Sequence, residues 1–283
     1  MPALSAVRRF ALWLFSEPAS PYVSTNVVID FAAARDYLDA LNAAGEAPRV
    51  TVMHLFTAAV GRVLREFPAA NGRVIGKRIE LRDSVDIASP VDLLDHDDAG
   101  SMELGLVFLH GVDRLSLREI AAKTRKVVGA ERSGRPTHPI VRLGLPIAEH
   151  LPGPVFDLFL ELSGRLAQSR LAAPLVDRYF GISTIISNPG AAFRDLRGGR
   201  FLGGSMVPPT RPFALGSVFG VSAVQPEVFV VDGEVAVRPG LPVLFIFDHR
   251  LFDGVMCSRI FRRLIELFQD PAAHFGADGR ARG

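Results

Sequence analysis

The sequence predicts an α/β protein in which a mixed β-sheet is covered by helices. Strand-like and helix-like segments alternate along the chain, which is typical of a sheet with helices packed on it. The pair Asp232-Gly233 separates two valine-rich runs and is a strong β-hairpin signal, so at least part of the sheet is antiparallel. Nearly half of the 283 residues are apolar, enough for a large core. We expect one domain spanning residues 1–283.

The first third of the chain alternates between a strand and two helices. Residues 21–30 are rich in β-branched side chains and predict a strand. Leu38 and Leu41 then share one stripe of a predicted helix, and Gly45 follows its end. A strongly apolar helix is expected from Thr51, which suits an N-cap, to the residue before Pro68.

The middle of the chain contains three short strand patterns and one insertion. Residues 78–93 predict two strands, residues 103–113 a third, and Ser116 begins a charged helix. The stretch from about 135 to 180 is proline-rich and contains one long apolar segment, so we interpret it as an extra helical insertion. Packing of this helix on the sheet is the favoured hypothesis; covering a site, docking a partner or contacting lipid are the alternatives.

The last third returns to strands and ends in a helix. Residues 181–190, "GISTIISNPG", follow a strand pattern. Residues 213–250 predict three strands, two of them joined by the Asp232-Gly233 turn. An apolar helix is expected from Gly254 to the sequence "QDP".

Composition excludes several classes of protein. The formal net charge is only +2, with no basic face for nucleic acid. The single cysteine rules out an internal disulfide framework and suits a reducing compartment. No apolar run approaches the ~18 residues of a membrane span. Arg8 and Arg9 precede an apolar run too short for an export signal, so we expect an amphipathic first helix and a cytoplasmic protein.

The sequence "FIFDHRLFDG", residues 245–254, combines a buried-looking strand with a histidine, an acid and a glycine. His249 at a strand end is a general-base candidate because the unperturbed pKa of histidine is about 6.5. Asp253 is expected to orient the loop, to cap the last helix, or both. Gly254 would allow a tight turn beside the histidine. The alternative is a purely structural histidine followed by an ordinary strand-to-helix turn.

These motifs, taken with their neighbours, resemble a known family. His249-x-x-x-Asp253-Gly254, followed by an apolar helix ending in Gln-Asp-Pro, is similar to the catalytic signature of dihydrolipoyl acyltransferases, the core components of 2-oxoacid dehydrogenase complexes. Residues 181–190 resemble the family's Thr-Ile-Ser-Asn-Leu-Gly segment, with Pro189 where leucine is usual. The helix ending in Pro-x-x-Asn also has a counterpart there. Chloramphenicol acetyltransferases share this fold and the histidine motif.

The resemblance implies a fold, a reaction and an assembly. The fold would be a two-layer α+β sandwich like that of chloramphenicol acetyltransferase. The enzyme would move an acyl group between coenzyme A and an acceptor, with acyl-CoA as a substrate and no metal. His249 would be the general base, Ser187 would stabilise the oxyanion, and Asp253 would hold the loop by pairing with an N-terminal arginine, with Arg9 favoured over Arg8. The family forms trimers with the active site between subunits.

Departures from the family pattern leave the acceptor open. We expect no lipoyl domain before the catalytic motifs, and therefore either a lipoyl group in trans, on another protein, or a small-molecule acceptor. The segment Gly105–Asp113 lacks the family's proline, and the insertion at about 135–180 is longer than the family linker. A free-standing acyltransferase acting on a small hydroxyl compound or lipid is one alternative function. A non-catalytic trimeric scaffold that binds partners is another.

Other candidate residues are given structural interpretations. The acidic run Asp95–Asp98 has no convergent ligands and is expected to be a solvated loop rather than a metal site. Cys257 falls among apolar residues of the last helix, as a buried small side chain does. His54, His110 and His150 have no partner pattern and are expected to be structural or exposed.

Overall fold

The structure of the protein is a computed structural model. It describes residues 20–92, 104–133, 135, 137–138, 142, 152–169, 171–172, 181–189, 199, 201, 204–208 and 214–283. The predicted first helix, the acidic run at 95–98 and much of the insertion lie outside these ranges.

Ten strands are found in the described residues. In chain order they are β1 (Tyr22–Asp30), β2 (Gly72–Ile75), β3 (Arg78–Leu81), β4 (Ile87–Asp92), β5 (Leu104–Leu109), β6 (Thr184–Ser187), β7 (Ala214–Leu215), β8 (Ser217–Val221), β9 (Gln225–Val231) and β10 (Glu234–Asp248). The large sheet has the order β1-β10-β8-β6-β4-β5, and β9 pairs with the first half of β10. Strand β6 runs parallel to β4 and β8 while the other pairs of this sheet are antiparallel, so the predicted mixed sheet is confirmed.

Six α-helices accompany the strands in the described part of the chain. They are α1 (Ala32–Ala43), α2 (Val52–Glu66), α3 (Leu117–Arg132), α4 (Gly153–Ala167), α5 (Gly254–Gln269) and α6 (Pro271–Phe275). Helix α3 begins at the predicted Ser116, whose hydroxyl accepts from Glu119 N while Ser116 N donates to Glu119 Oε2. This reciprocal capping satisfies two backbone donors at the start of the helix.

The main core lies between one face of the large sheet and the helices. Alternate residues of β10 point into it, and each is buried: Leu241, Val243, Phe245 and Phe247. Phe245 stacks on Phe219 of β8 with ring centroids 4.4 Å apart. The same cluster includes buried residues of α2 and α5, so these two helices close the core against the sheet.

The second face of the large sheet carries a smaller apolar cluster. Leu244 and Ile246 of β10 point to it and pack with Val218 and Leu215. Along β1, Ser24 and Asn26 point to this face and are exposed, while Tyr22 on the same face is half-buried. The second face is therefore only partly covered by the described residues.

A small second sheet was not foreseen from the sequence. It has the order β3-β2-β7, and its register pairs Val74 with Ile79 on one side and with Ala214 on the other. Strand β2 has only four residues, all buried, and β7 has only two. Runs this short contain no alternation that a sequence pattern could reveal.

Helix α4 lies within the predicted insertion, and none of the described residues covers its apolar stripe. The stripe is more than half exposed along its length, at Leu158, Phe159, Leu162 and Leu166. Apolar spacing alone cannot tell a covered stripe from an uncovered one, so the packing of this helix on the sheet stays a prediction.

None of the described helices is long and apolar enough to cross a membrane.

Candidate active site

His249 stands where the longest strand of the sheet ends. Its backbone N–H donates to Pro21 O at 2.9 Å, which fixes the end of β10 against the start of β1. The imidazole is half-buried and lies beside the Phe247 ring, with centroids 6.1 Å apart. The strand thus ends with a fixed backbone and presents an imidazole at the rim of the sheet, as a general base requires.

The residues on either side of His249, Asp248 and Arg250, form a buried ion pair. The Asp248 side chain is fully buried and accepts from Arg250 Nε at 2.9 Å and from Arg250 Nη2 at 2.7 Å. It also accepts from the backbone N–H of Arg250 at 2.9 Å. These contacts close the turn that carries His249. The pair was not predicted, although an acid at the end of a buried strand needs a charged partner, and Arg250 lies two positions away.

Tyr22 completes the packing around this turn. It lies opposite Asp248 in the register of β1 and β10, and its hydroxyl donates to Leu215 O at 3.1 Å. Burial raises the pKa of the Tyr22 phenol, and the Asp248 carboxylate raises it further. Tyr22 therefore remains protonated and acts as a hydrogen-bond donor beside the turn.

Asp253 is the N-cap of α5. Its Oδ1 accepts from Met256 N at 3.0 Å, so the capping role expected from the sequence is confirmed. Arg9, the expected ion-pair partner of Asp253, lies outside the described residues. A carboxylate at this helix start is also favoured by the helix dipole.

The structure corrects the reason given for Gly254. The residue is the first of α5, its φ is not in the left-handed region, and a Cβ built on it would meet nothing within 4 Å. Within one chain the turn beside His249 therefore does not depend on glycine, because any residue could adopt this backbone.

Ser187 is the last residue of β6 and is half-buried. It points to the second face of the sheet, the side opposite the helices, because its neighbour Ile186 belongs to the main core. No hydrogen bond engages Ser187 Oγ among the described residues, so its hydroxyl is available to a ligand. Next to it, Asn188 Oδ1 is buried without a hydrogen-bond partner in the described part of the chain.

Ser187 and His249 of one chain lie at opposite ends of the sheet. Ser187 is in register with Gly220, and Gly220 with Leu244. His249 follows Leu244 by five positions, so the two Cα atoms are separated by about 17 Å along the strands and about 10 Å across two strand spacings. Two residues of the same chain this far apart cannot contact the same reacting carbonyl. We refer to the two ends of the sheet as the serine end and the histidine end.

His110 has a partner that the sequence analysis missed. Its Nδ1 lies 3.4 Å from Asp86 Oδ1, and Asp86 also pairs with Arg82 at 2.7 Å. The hydrogen bond that His110 donates to the Asp86 carboxylate raises the pKa of His110. Burial opposes ionisation of Asp86, but hydrogen bonds from His110, Gly111 N and Ser84 with the charge of Arg82 outweigh it and lower the pKa to about 2. The partners are 24 positions apart and meet only because β4 and β5 pair.

His54 and Cys257 have the structural roles expected of them. His54 Nδ1 accepts from Thr51 N at 3.1 Å at the start of α2, and burial lowers the pKa of His54 to about 4. Cys257 is buried, and its Sγ lies 3.5 Å from Thr25 Oγ1. Burial raises the pKa of the Cys257 thiol, which makes it a poor nucleophile. Among the described residues, no cluster of three or more His, Cys, Asp or Glu could hold a metal ion.

A family model described as "2-oxoacid dehydrogenases acyltransferase (catalytic domain)" matches residues 12–139 and 209–275. The chain belongs to this acyltransferase family. The predicted family and enzyme class, an acyltransferase, are thereby confirmed. The matched regions of this acyltransferase chain include His249 and Asp253, whereas Ser187 falls between them.

Curated relatives of the acyltransferase chain are subunits of large dehydrogenase complexes. The dihydrolipoyllysine-residue succinyltransferase component of the 2-oxoglutarate dehydrogenase complex of Bartonella vinsonii subsp. berkhoffii is 26% identical over 221 residues, 77% of this chain and 40% of that protein. The acetyltransferase component of the Bacillus subtilis pyruvate dehydrogenase complex is 26% identical over 117 residues, 41% of this chain and 24% of that protein. The chain thus matches less than half the length of these relatives.

Solved structures confirm the predicted fold. A probable dihydrolipoamide acetyltransferase from Listeria monocytogenes has a TM-score of 0.62 at 16% identity, with 95% of this chain and 94% of that chain covered. The dihydrolipoamide acetyltransferase of Azotobacter vinelandii has a TM-score of 0.63 at 21% identity, with 96% and 93% covered. A chloramphenicol acetyltransferase has a TM-score of 0.54 at 15% identity, with 93% and 96% covered.

Proposed function

We propose that this protein transfers an acyl group between coenzyme A and a thiol or hydroxyl acceptor, with His249 as the general base. The observation that carries the proposal is the position of His249. The imidazole lies at the rim of the sheet on a turn fixed by the Asp248–Arg250 ion pair, inside a segment that the acyltransferase family model matches. An imidazole carried on a fixed turn is positioned to accept a proton from an acceptor and to return it.

In the proposed reaction, His249 first accepts a proton and later donates it. His249 takes the proton of the acceptor thiol or hydroxyl as the acceptor attacks the thioester carbonyl, and a tetrahedral oxyanion forms. The carbon–sulfur bond then breaks, and the departing thiolate of coenzyme A takes the proton from the imidazolium. The thioester is already activated, so no change of oxidation state accompanies the transfer.

Ser187 is proposed to donate a hydrogen bond to the oxyanion. Its hydroxyl has no hydrogen bond among the described residues, which leaves it able to donate to a developing negative charge. In the Azotobacter vinelandii enzyme, the residues investigated for catalysis are a serine, a histidine and an asparagine four positions after that histidine. His249 and Asp253 have the same spacing. Asp253 is proposed to hold the catalytic loop, and Arg9 is proposed as its ion-pair partner.

The proposed site is composite, which means that it takes Ser187 from one copy of the chain and His249 from another. Because the two residues lie at opposite ends of one sheet, the serine end of one copy must meet the histidine end of another for both to act on one carbonyl. A homotrimer with three such sites, as the family resemblance implies, is the proposed assembly.

The proposed acceptor is a dihydrolipoyl group carried by a separate protein. The relatives are named for dihydrolipoyllysine residues and for dehydrogenase complexes, which supports this choice. A small hydroxyl compound is the second candidate, and the exposed apolar stripe of α4 favours an acceptor or partner with an apolar surface.

Thiol release from acetyl-, succinyl- and longer acyl-coenzyme A tests the proposal. The acceptors would be dihydrolipoamide and a panel of alcohols and amines, with wild type beside His249→Ala and Ser187→Ala. We expect acceptor-dependent release by the wild type, a loss of roughly 100-fold or more in His249→Ala, and a loss of roughly 100-fold in Ser187→Ala.

Equal background release from wild type and His249→Ala with every acceptor would contradict an enzymatic role and favour a scaffold. A loss below about threefold in Ser187→Ala would remove Ser187 from the site while leaving the base intact. The acceptor that supports turnover decides between a dehydrogenase-complex component and a free-standing enzyme.

A further inference from the structure

Helix α4 exposes apolar side chains along one side of its length. They recur at positions i, i+3, i+4, i+7 and i+11, so they share one face of the helix. Each is 49–60% exposed: Val155, Leu158, Phe159, Leu162 and Leu166. We call this surface the α4 stripe. Neighbouring apolar side chains that are this exposed are typical of a surface that another segment or molecule covers.

The C-terminal end of α4 is attached to the second face of the large sheet. Ser169, just after the helix, accepts a hydrogen bond on its Oγ from Ala172 N at 3.3 Å. Ala172 is buried in the smaller apolar cluster, together with Leu215 and Ile246. Tyr22 packs against the same cluster. The end of α4 and the start of β1 therefore lie on one small apolar cluster.

The residues that precede β1 in the sequence include a strongly apolar run. Six consecutive apolar residues, Phe10–Phe15, end seven positions before Tyr22. The sequence predicts an amphipathic first helix here, and the apolar face of such a helix needs a cover. The run lies outside the described residues, which begin at residue 20. Among the parts of the chain outside the described ranges, no other has more than three consecutive apolar residues.

The lengths of chain allow this run to meet the α4 stripe. The seven positions from Phe15 to Tyr22 span at most about 25 Å. The 15 residues of α4 span about 22 Å. Because the helix and the N-terminal segment both lead away from the same cluster, the run is within reach of every residue of the stripe.

We propose that the run Phe10–Phe15 packs on the α4 stripe of the same chain. Each of the two surfaces is apolar, and their packing removes both from water. The predicted insertion thus supplies the surface that receives the N-terminal segment. An apolar acceptor or partner from outside the chain is the alternative occupant, and it is an outcome of the test.

Trp13 makes the test direct, because it lies in the run and is the only tryptophan of the chain. Its emission spectrum and its quenching by acrylamide report whether the run is covered. We expect the wild type to emit at shorter wavelength than the chain unfolded in urea, and to be quenched less. This difference should not depend on protein concentration, because the cover belongs to the same chain.

Leu162→Lys places an ammonium group in the centre of the α4 stripe. Burial of an unpaired charge against apolar side chains is unfavourable, so we expect the population of covered runs to fall roughly tenfold or more. The emission of Trp13 should then shift to the red, and its quenching by acrylamide should rise to nearly that of the unfolded chain.

The matched control is Gly164→Lys, which places the same side chain on the opposite side of α4. A Cβ at Gly164 meets nothing within 4 Å, so the substitution fits, and the emission of the wild type should be retained. Leu162→Ala is a second test variant, which shortens the side chain without adding charge. It should shift the emission in the same direction by less, so a folding defect in Leu162→Lys would leave the proposal testable.

A wild-type emission equal to that of the unfolded chain would overturn the proposal. A short-wavelength emission that Leu162→Lys leaves unchanged would also overturn it, because an apolar partner or another part of the chain would then cover the run. These measurements contain no substrate, so their outcome is independent of the proposed function.

Mixing two variants shows whether the cover comes from the same chain. Leu162→Lys would be dissociated, mixed with an excess of Trp13→Phe and reassociated, so that only the first variant emits from tryptophan. We expect the red-shifted emission to persist. A return to the wild-type emission would place the run of one copy on the helix of another and contradict the proposal.

Discussion

The two ends of the large sheet differ in how completely the described residues cover and close them. At the histidine end, β10 stops in a turn closed by the Asp248–Arg250 pair and followed at once by a capped helix. At the serine end, β6 stops after four residues, and β9 with the first half of β10 forms a two-stranded ribbon. One face of this ribbon carries valines that are exposed among the described residues: Val228, Val230, Val235 and Val237. The polar atom Asn188 Oδ1 is left without a partner there among the described residues.

The two halves of strand β10 show the same difference. On the face of β10 that meets the helices, one apolar row runs along the strand, and among the described residues the helices cover only the half that leads to His249. The covered half leads to the turn that carries His249, whereas Val235 and Val237 of the other half are exposed. Under the proposed function, a complete site forms only when two copies associate, so activity would depend on assembly.

The largest expected effect on the free energy of unfolding comes from a substitution in the covered half of β10. Phe245→Ala removes a ring that stacks on Phe219 at 4.4 Å and lies beside Phe247, Phe252 and Phe261. We expect the free energy of unfolding to fall by about 3–5 kcal/mol, as for other buried aromatic truncations. Urea titration followed by circular dichroism measures the loss.

Val235→Ala is the matched control, because it lies on the same face of the same strand. Measured on single chains at low protein concentration, it should change the free energy of unfolding by less than about 0.5 kcal/mol. Similar losses from both substitutions would show that the two halves of β10 do not differ in burial.

The next effect concerns the turn at the histidine end. Asp248→Asn removes the charge that pairs with the Arg250 guanidinium inside the protein. Breaking a buried ion pair from one side typically costs about 3–5 kcal/mol, and we expect the lower end here because Arg250 is 12% exposed and can reach water. Since the turn positions His249, kcat should fall while KM for the acyl donor changes little.

Measurement of both unfolding and steady-state kinetics separates the two roles of Asp248. A stable Asp248→Asn variant with wild-type kcat would show that the ion pair is not needed to position His249. Arg250→Lys, which retains the charge but loses the two-pronged contact, should have an intermediate kcat.

The smallest effect belongs to the helical layer rather than to either end of the sheet. Burial lowers the pKa of His54 from 6.5 to about 4, so the folded state resists a proton that the unfolded chain accepts. The unfolding free energy should therefore decrease as pH falls from 6.5 to about 4, by about 1–3 kcal/mol for this residue. His54→Gln keeps a capping acceptor at this position but does not titrate.

The decisive quantity is the difference between wild type and His54→Gln across this pH range. Parallel pH profiles would contradict the assignment, because other groups titrate equally in both proteins. Nuclear magnetic resonance titration of the imidazole gives the pKa itself.

Local chemistry made much of the fold predictable. The Asp232-Gly233 turn could be predicted because these residues tolerate positive φ. The start of α3 could be predicted because Ser116 and Glu119 have the spacing of a capping box. Strands β2 and β7 could not be predicted, because their pairing joins residues about 140 positions apart and neither strand is long enough to show a pattern.

The candidate site was predictable in its residue types and not in its arrangement. His249, Asp253 and Ser187 stand out as motifs, but their placement at two ends of a sheet depends on register, which no local pattern contains. The His110–Asp86 pair was missed for the same reason, because its two residues meet only through the pairing of β4 with β5. The exposed valines of the β9–β10 ribbon were predicted as strand residues, and the sequence did not indicate their exposure, because β-branched residues are equally typical of covered and uncovered strands.

Mixing two inactive variants tests the composite site most directly. Ser187→Ala supplies His249, and His249→Ala supplies Ser187. If each site takes one residue from each of two copies, random co-assembly of equal amounts restores both residues in about a quarter of the sites. The variants would be dissociated, mixed and reassociated, and acyl transfer compared with each variant treated alone.

We predict that the mixture recovers about a quarter of the wild-type rate per chain, well above the ~1% expected of the parents. A site built within one chain has a defect in every copy, so mixing would recover nothing. Activity of the reassociated mixture no higher than the mean of its parents, alongside full recovery of reassociated wild type, would contradict the composite site.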